Sequence, residues 1–174
     1  MVAFCLLLHF EGRPSGGASG LAFWSAAWAS STSQNVFDPY SLSHVLHGVI
    51  LFWLLQPFAD RMSLSWRLVA AIALEIGWEL LENSPWIIAR YRQDTAAFDY
   101  TGDSIVNSLG DVASVAVGFA ITSRISWRAS VALFVAFELW MLWLAHDNLT
   151  LNILMLLHPV EAIKNWQLSG IVSP

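Results

Sequence analysis

The sequence predicts an all-α protein: a multi-pass transmembrane helical bundle of four clear spans. A short N-terminal hydrophobic segment precedes them, and a C-terminal re-entrant or interfacial helix follows. Three observations carry this reading. Of the 174 residues, 56% are apolar and only 12% are charged, whereas about a quarter of a soluble globule is usually charged. The apolar residues gather into runs at approximately 41–57, 66–84, 103–122 and 129–146, separated by turn-forming residues. Inside two of these runs the polar residues recur at helical spacing. Glu75, Glu79 and Glu82 fall within roughly 60° of one helix face, and Asp103, Asn107 and Asp111 within roughly 80° of another. The length suits a single membrane domain, 1–174.

Residues 1–10 (MVAFCLLLHF) are apolar but shorter than the ~20 residues a span requires. They lack the positively charged start of a signal peptide, so a truncated span or a membrane-dipping anchor is expected. Gly12 to Gly20 is a Gly/Ser-rich loop. Phe23, Trp24, Ala27 and Trp28 recur at helical spacing, which suggests a short helix at the membrane surface. Asp38-Pro39-Tyr40-Ser41 is a helix start, with Asp38 or Ser41 available as cap. The first clear span is apolar except for His44 and His47 and ends at Pro57.

Asp60, Arg61 and Ser63 form a tight turn into the second span, which Ser84-Pro85 closes. A polar loop is expected over residues 90–101. Asp103 opens the third span, Arg124 and Arg128 bracket a short turn, and the fourth span ends at His146-Asp147-Asn148. Glu138 stands alone near the middle of that span and is expected to be neutral or paired with a neighbouring helix. The apolar piece 149–157 is too short to cross and stops at His158-Pro159. The single cysteine, Cys5, excludes an internal disulfide framework.

Charge orients the spans. One side carries Arg61, Arg67, Arg124 and Arg128 in short turns, with Asp60 as its only acid. The other carries Arg13, Arg90, Arg92 and Lys164 among six acids. Short basic turns face the cytoplasm, which puts the acidic side in the periplasm of a cell inner membrane. Trp66 and Trp127 on one side and Trp86 on the other sit where aromatic belts form. No basic run suggests nucleic acid.

With the spans alternating, His44 and His47 begin one helix, and Glu79, Glu82 and Asn83 end the next. Asp103 and Asn107 begin the third, and Asp147-Asn148 ends the fourth. All reach the same leaflet. An ionised carboxylate at this depth costs ~2.5–3.5 kcal/mol on insertion scales, so such groups face a bundle interior or wet cavity. Three acids on one face need protons, cations or a metal. The cations within reach are His44 and His47, or Arg90 or Arg92 folded back from their loop.

Two histidines one turn apart, facing Glu and Asp, also make an N/O ligand set for Zn, Mn or Fe. The metal candidates are therefore His44, His47, Glu79 and Asp103. The acid/base candidates are His44, His47, Glu79, Glu82 and Asp103, with Asn83 and Asn107 orienting them. The Glu-x-x-His motif of di-metal bundles and the His-Glu-x-x-His of zinc proteases are absent, as are phosphate-gripping loops. Gly17-Ala18-Ser19-Gly20 echoes a rhomboid serine motif but sits in a loop ahead of the spans.

These residues carry a resemblance. Ser33-Gln34-Asn35, Asp38 to Gly48, Glu75 to Asn83, Arg90-Tyr91-Arg92, Asp99 to Ser104, Asn107-Ser108 and Asp147 to Asn152 resemble an uncharacterised bacterial integral membrane family. It is known as domain of unknown function 2585, or uncharacterised protein family 0314. The resemblance covers roughly residues 33–166 and departs from the family at the start. It implies a multi-pass inner-membrane protein and no established activity.

Two functional readings stand. In one, the polar cavity binds a small polar or lipid-headgroup ligand, metal-dependently, with hydrolysis or transfer at a headgroup if it is catalytic. In the other, the chain is a non-enzymatic accessory or assembly protein whose polar rows are internal glue, at ~1 kcal/mol per contact, or dock a partner membrane protein. An ion-coupled carrier is disfavoured, because the polar groups occupy one leaflet rather than a path across.

Overall fold

The computed structural model describes residues 1–18 and 20–171. Among these the chain is all-helical: α1 (Val2–Phe10), α2 (Ser41–Leu54), α3 (Leu64–Glu82), α4 (Pro85–Asp94), α5 (Ile105–Thr122), α6 (Trp127–Ala145), α7 (Leu149–Leu157) and α8 (Glu161–Ile171). A 3-10 turn, Gln56–Phe58, extends α2. Ser19, from the rhomboid-like echo, lies outside the described residues.

The helix starts follow from their caps. Ser63, Ser84, Ser104, Ser126 and Asn148 each accept a backbone N–H from the first turn of the helix they precede, the usual remedy for orphan donors. The start of α2 differs from expectation. Its first-turn boundary is Tyr40, with no side-chain cap. Asp38 instead accepts the Tyr40 N–H at 2.8 Å, and Ser41 Oγ donates to Asp111 Oδ1 at 2.7 Å. Asp38 is spent on the loop before α2 and Ser41 on α5.

Three expected segments take other forms. Residues 23–28 are not a helix: Trp24 pairs with Phe37 in an isolated bridge, and Ser25 N–H and Phe37 N–H bond across the two segments. Asn35 supplies the remaining partners, accepting from Ala22 N–H and donating to Ser25 Oγ. Side-chain amides and hydroxyls here compete with helical bonding. The segment 90–101 is helical in its first part, because Ser84 caps and Pro85 occupies the first helical position, where its missing N–H costs nothing. The chain also continues past Pro159 into a further helix, α8.

Helix α2 lies along α5, with α3 and α6 on its flanks. Residues 41, 48 and 52 meet 111, 115–119 and 119 in turn, so α2 and α5 run parallel. His44 at the start of α2 meets Glu75 late in α3, so α3 runs antiparallel to it. So does α6, whose Met141 meets Ser43. The α2–α5 seam is close because glycines line it. A Cβ at Gly48 would collide with Val115 O, and one at Gly118 with Val45 O. Gly110, Ser114 and Gly118 stand at four-residue intervals along this face, the spacing that lets backbones approach.

Helices α5 and α6 are long and apolar enough to cross a membrane. Helix α6 presents its apolar side chains outward, with Val131 54%, Leu139 61% and Trp143 77% exposed. Glu138, near the middle of the same helix, is buried. Its two carboxylate oxygens accept the Leu149 and Thr150 N–H groups at 3.0 and 3.1 Å. This carboxylate thus holds the N-terminus of α7, where negative charge is favoured.

Candidate functional site

The polar residues of α2, α3 and α5 converge at one end of the bundle. The centre is His44. Its Nδ1 lies 2.5 Å from Glu75 Oε1 and 3.5 Å from Glu79 Oε1, and its Nε2 lies 3.8 Å from Asp111 Oδ2. His47, one turn on, places Nδ1 3.1 Å from Glu75 Oε2, and its ring stands edge-on to Trp78. Because α2 and α3 are antiparallel, the i and i+3 histidines face the i and i+4 glutamates.

Glu79 is fully buried, and neither of its oxygens accepts a hydrogen bond. Glu82, one turn further, accepts from the Tyr91 hydroxyl at 2.7 Å through Oε1, while its buried Oε2 has no partner. The Tyr91 oxygen also lies 2.9 Å from Asn152 Oδ1 on α7. Buried polar atoms without partners are rare and call for an explanation. Two sets of ligand atoms lie within 4.8 Å of one another: His44, His47 and Glu75, and His44, Glu79 and Glu82.

The other sequence candidates are placed differently. Asp103 and Asn83 form a reciprocal pair: Asn83 Nδ2 donates to Asp103 Oδ2 at 3.0 Å, and the Asp103 N–H donates to Asn83 Oδ1 at 2.6 Å. Tyr100 OH donates to the same Asp103 oxygen. Asn107 donates to the Asn35 carbonyl at 2.9 Å, tying the loop before α2 to α5. These three join the chain's loops to the bundle and stand outside both ligand sets. Glu75 and Asp111 enter the cluster although neither was among the sequence candidates. The signal was present, since both belong to the two helical rows, but spacing along one helix does not say which member faces a neighbour.

Arg90 and Arg92 do not fold back. Arg90 donates to Leu156 O and pairs with Asp94, and Arg92 donates to Phe98 O.

A cavity of about 430 Å³ opens over this cluster. Its floor is His44, His47, Glu75, Glu82 and Asp111, and its rim is the 28–34 and 95–101 loops. Two rim residues, Trp28 and Ser33, hold left-handed backbone conformations at φ 59° and 64°. Such strain in non-glycine residues persists only where surrounding contacts enforce it. Here the Trp28 indole donates to Ala145 O, and the Ser33 N–H donates to Asp38.

Asp147 closes one wall, accepting from Asn148 N–H and Gln167 Nε2. Burial pushes its carboxyl up to about 7, against the opposing pull of bonds from Asn148, Asn152, Tyr40 and Gln167. The folded state therefore binds this proton more tightly than the unfolded chain, and its contribution to stability fades as pH rises from about 4 to about 7. Asp147→Asn should remove that fade. Its melting temperature relative to wild type is expected to climb between pH 5 and pH 8. An equal offset at both pH values would show that Asp147 is not held protonated by burial.

Comparison with known proteins points one way. The sequence profile of the family described as "Protein of unknown function (DUF2585)" matches residues 8–169. A UPF0314 protein of Brucella anthropi is 44% identical over 161 residues, 92% of this chain and 82% of that protein. One from Sphingopyxis alaskensis is 46% identical over 166 residues, 94% and 88% of the two chains. One from Rhizobium etli is 49% identical over 138 residues, 79% and 71% of the two chains. No solved structure matches.

Proposed function

Since the chain belongs to the DUF2585 family, whose description names no activity, we propose a function from the site itself. The protein is a multi-pass inner-membrane protein. Its periplasmic-leaflet cavity holds a divalent metal and, beside it, a small polar or lipid-headgroup ligand. Helices α2, α3, α5 and α6 are the spans in this reading. The outward apolar face of α6 supports it, because water offers such a surface no partner while acyl chains do. Helix α2, 14 residues long, rises only ~21 Å, and the 3-10 turn and the loop packed on its start complete its crossing.

The observation that carries the metal is Glu79. It is a fully buried carboxylate, free of hydrogen bonds, beside Glu75, Glu82 and Asp111, with one histidine near it. Proton uptake lowers the charge but leaves the oxygens unbonded; an ion coordinated by His44, Glu79 and Glu82 satisfies both demands. Ligand donors must be deprotonated for this, so loading releases protons and strengthens with pH. A metal there would supply Lewis acidity toward a headgroup oxygen. His47 and Glu75, hydrogen-bonded to each other at the cavity floor, are placed to accept or return a proton.

The test is elemental analysis of the purified protein in mild detergent beside a His44→Ala/Glu79→Gln variant of equal monodispersity. Near-stoichiometric Zn, Mn or Fe in the wild type and none in the variant is the expected result. No metal in either would overturn the reading. A second reading, an accessory protein whose polar rows are glue, draws on the reciprocal Asn83–Asp103 pair. It predicts no metal and a loss of stability in either single variant.

A further inference from the structure

Six carboxyl groups line the cavity: Glu75, Glu82, Asp99, Asp103, Asp111 and Asp147. Glu79 lies behind them. Against these stand His44 and His47, and none of the chain's eight Lys and Arg residues lines the space. The nearby guanidiniums are engaged by other groups: Arg13 donates to Thr101 O and Glu11 O, Arg90 to Leu156 O beside Asp94, and Arg92 to Phe98 O. A phosphate site is built from Arg, Lys or helix N-terminal N–H groups. Here the charge has the opposite sign. One divalent ion at the floor and one protonated histidine still leave Asp103 and, at the rim, Asp99.

The walls carry aromatic rings as well. Trp28 and Tyr40 meet edge-to-face at 6.3 Å, and Tyr91 and Tyr100 at 5.0 Å. Trp78 stands beside His47, and all five rings line the cavity. Aromatic faces beside carboxylates are the surroundings that attract ammonium groups. One turn below the histidines the lining changes. Ile50, Leu51 and Leu74 form an apolar wall between α2 and α3, and Ile50 and Leu74 are 42% and 51% exposed on the outer face of the bundle. A polar chamber thus continues sideways into an apolar exit.

We propose that the cavity takes an amphiphile with a cationic ammonium headgroup. The ammonium sits beside Asp99, Asp103 and the aromatic rings, and the chain leaves between α2 and α3 past Ile50, Leu51 and Leu74. This rests on the cavity being a ligand site, as proposed above, and adds the charge and shape of what enters it.

Tryptophan-fluorescence titration of the full-length protein in a non-ionic detergent tests it. The probes are decylamine, decyl phosphate and ethylamine, the decyl compounds below their micellar concentrations. Decylamine is expected to saturate at least tenfold below decyl phosphate and below ethylamine. Asp99→Asn, at the exposed rim and outside both ligand sets, should narrow the amine preference without weakening decyl phosphate. Equal or tighter binding of decyl phosphate overturns the proposal. Ethylamine as tight as decylamine overturns the lipid-like ligand in favour of a free amine. Saturation by neither amine overturns it outright. Metal content of the same preparation separates the failures: bound metal with a phosphate preference leaves the metal site standing, and no metal with no saturation removes both.

Discussion

Glu79→Gln is expected to abolish metal retention while leaving the metal-free protein as stable as wild type, or more so. The substitution keeps side-chain volume and loses no hydrogen bond, because neither Glu79 oxygen accepts one. It removes a carboxylate buried among other acids, a group costing ~2.5–3.5 kcal/mol when ionised within a membrane. As a lost ligand it should weaken metal binding more than the ~10–100-fold typical of an outer-shell change. Added metal should therefore raise the wild-type melting temperature, through preferential binding to the folded state, and leave that of the variant unmoved. If Glu79 is instead helix-to-helix glue, the variant melts lower and metal shifts neither protein.

The second large effect lies in the α2–α5 seam. Gly118→Val should destabilise the fold by on the order of 1–3 kcal/mol or more, or yield aggregated protein. Its Cβ would strike the Val45 carbonyl oxygen, a backbone atom with no rotamer to yield. Gly77→Ala is the control. That glycine is helical and meets nothing within 4 Å, so alanine should stabilise α3 by ~0.5–1 kcal/mol. Detergent thermal melts of the two variants beside wild type would decide. A Gly118→Val protein that melts like wild type would mean that the two helices do not pack as described. The seam matters to the site because it sets Asp111 beside His44 and Ser41.

Much of the molecule was legible in the chain. Apolar runs between caps and prolines located the four long helices to within a few residues, since hydrophobic periodicity and capping are local properties. Alternation of helix direction then predicted which ends share one side, and His44, Glu79 and Glu82 do cluster there. Elsewhere local signals competed. Ser84-Pro85 reads equally as the end of α3 and the start of α4, and Phe23, Trp24 and Trp28 suggest a helix that Asn35 and the Phe37 pairing prevent.

By itself, the sequence determined an all-helical fold, the membership of the polar rows and the surplus of acids over cations at one end. Those follow from composition and from the 3.6-residue turn, which need only neighbouring residues. The tertiary structure alone decided which member of each row does what. Glu75 became the partner of both histidines, Asp103 was taken up by Asn83 and Tyr100, and Glu138 became the anchor of α7. Glu79 was left buried with no hydrogen bond. Rotation and depth of each helix settle such matters, and these are set by long-range contacts such as Gly48 and Gly118 against the facing backbone. No local spacing encodes them.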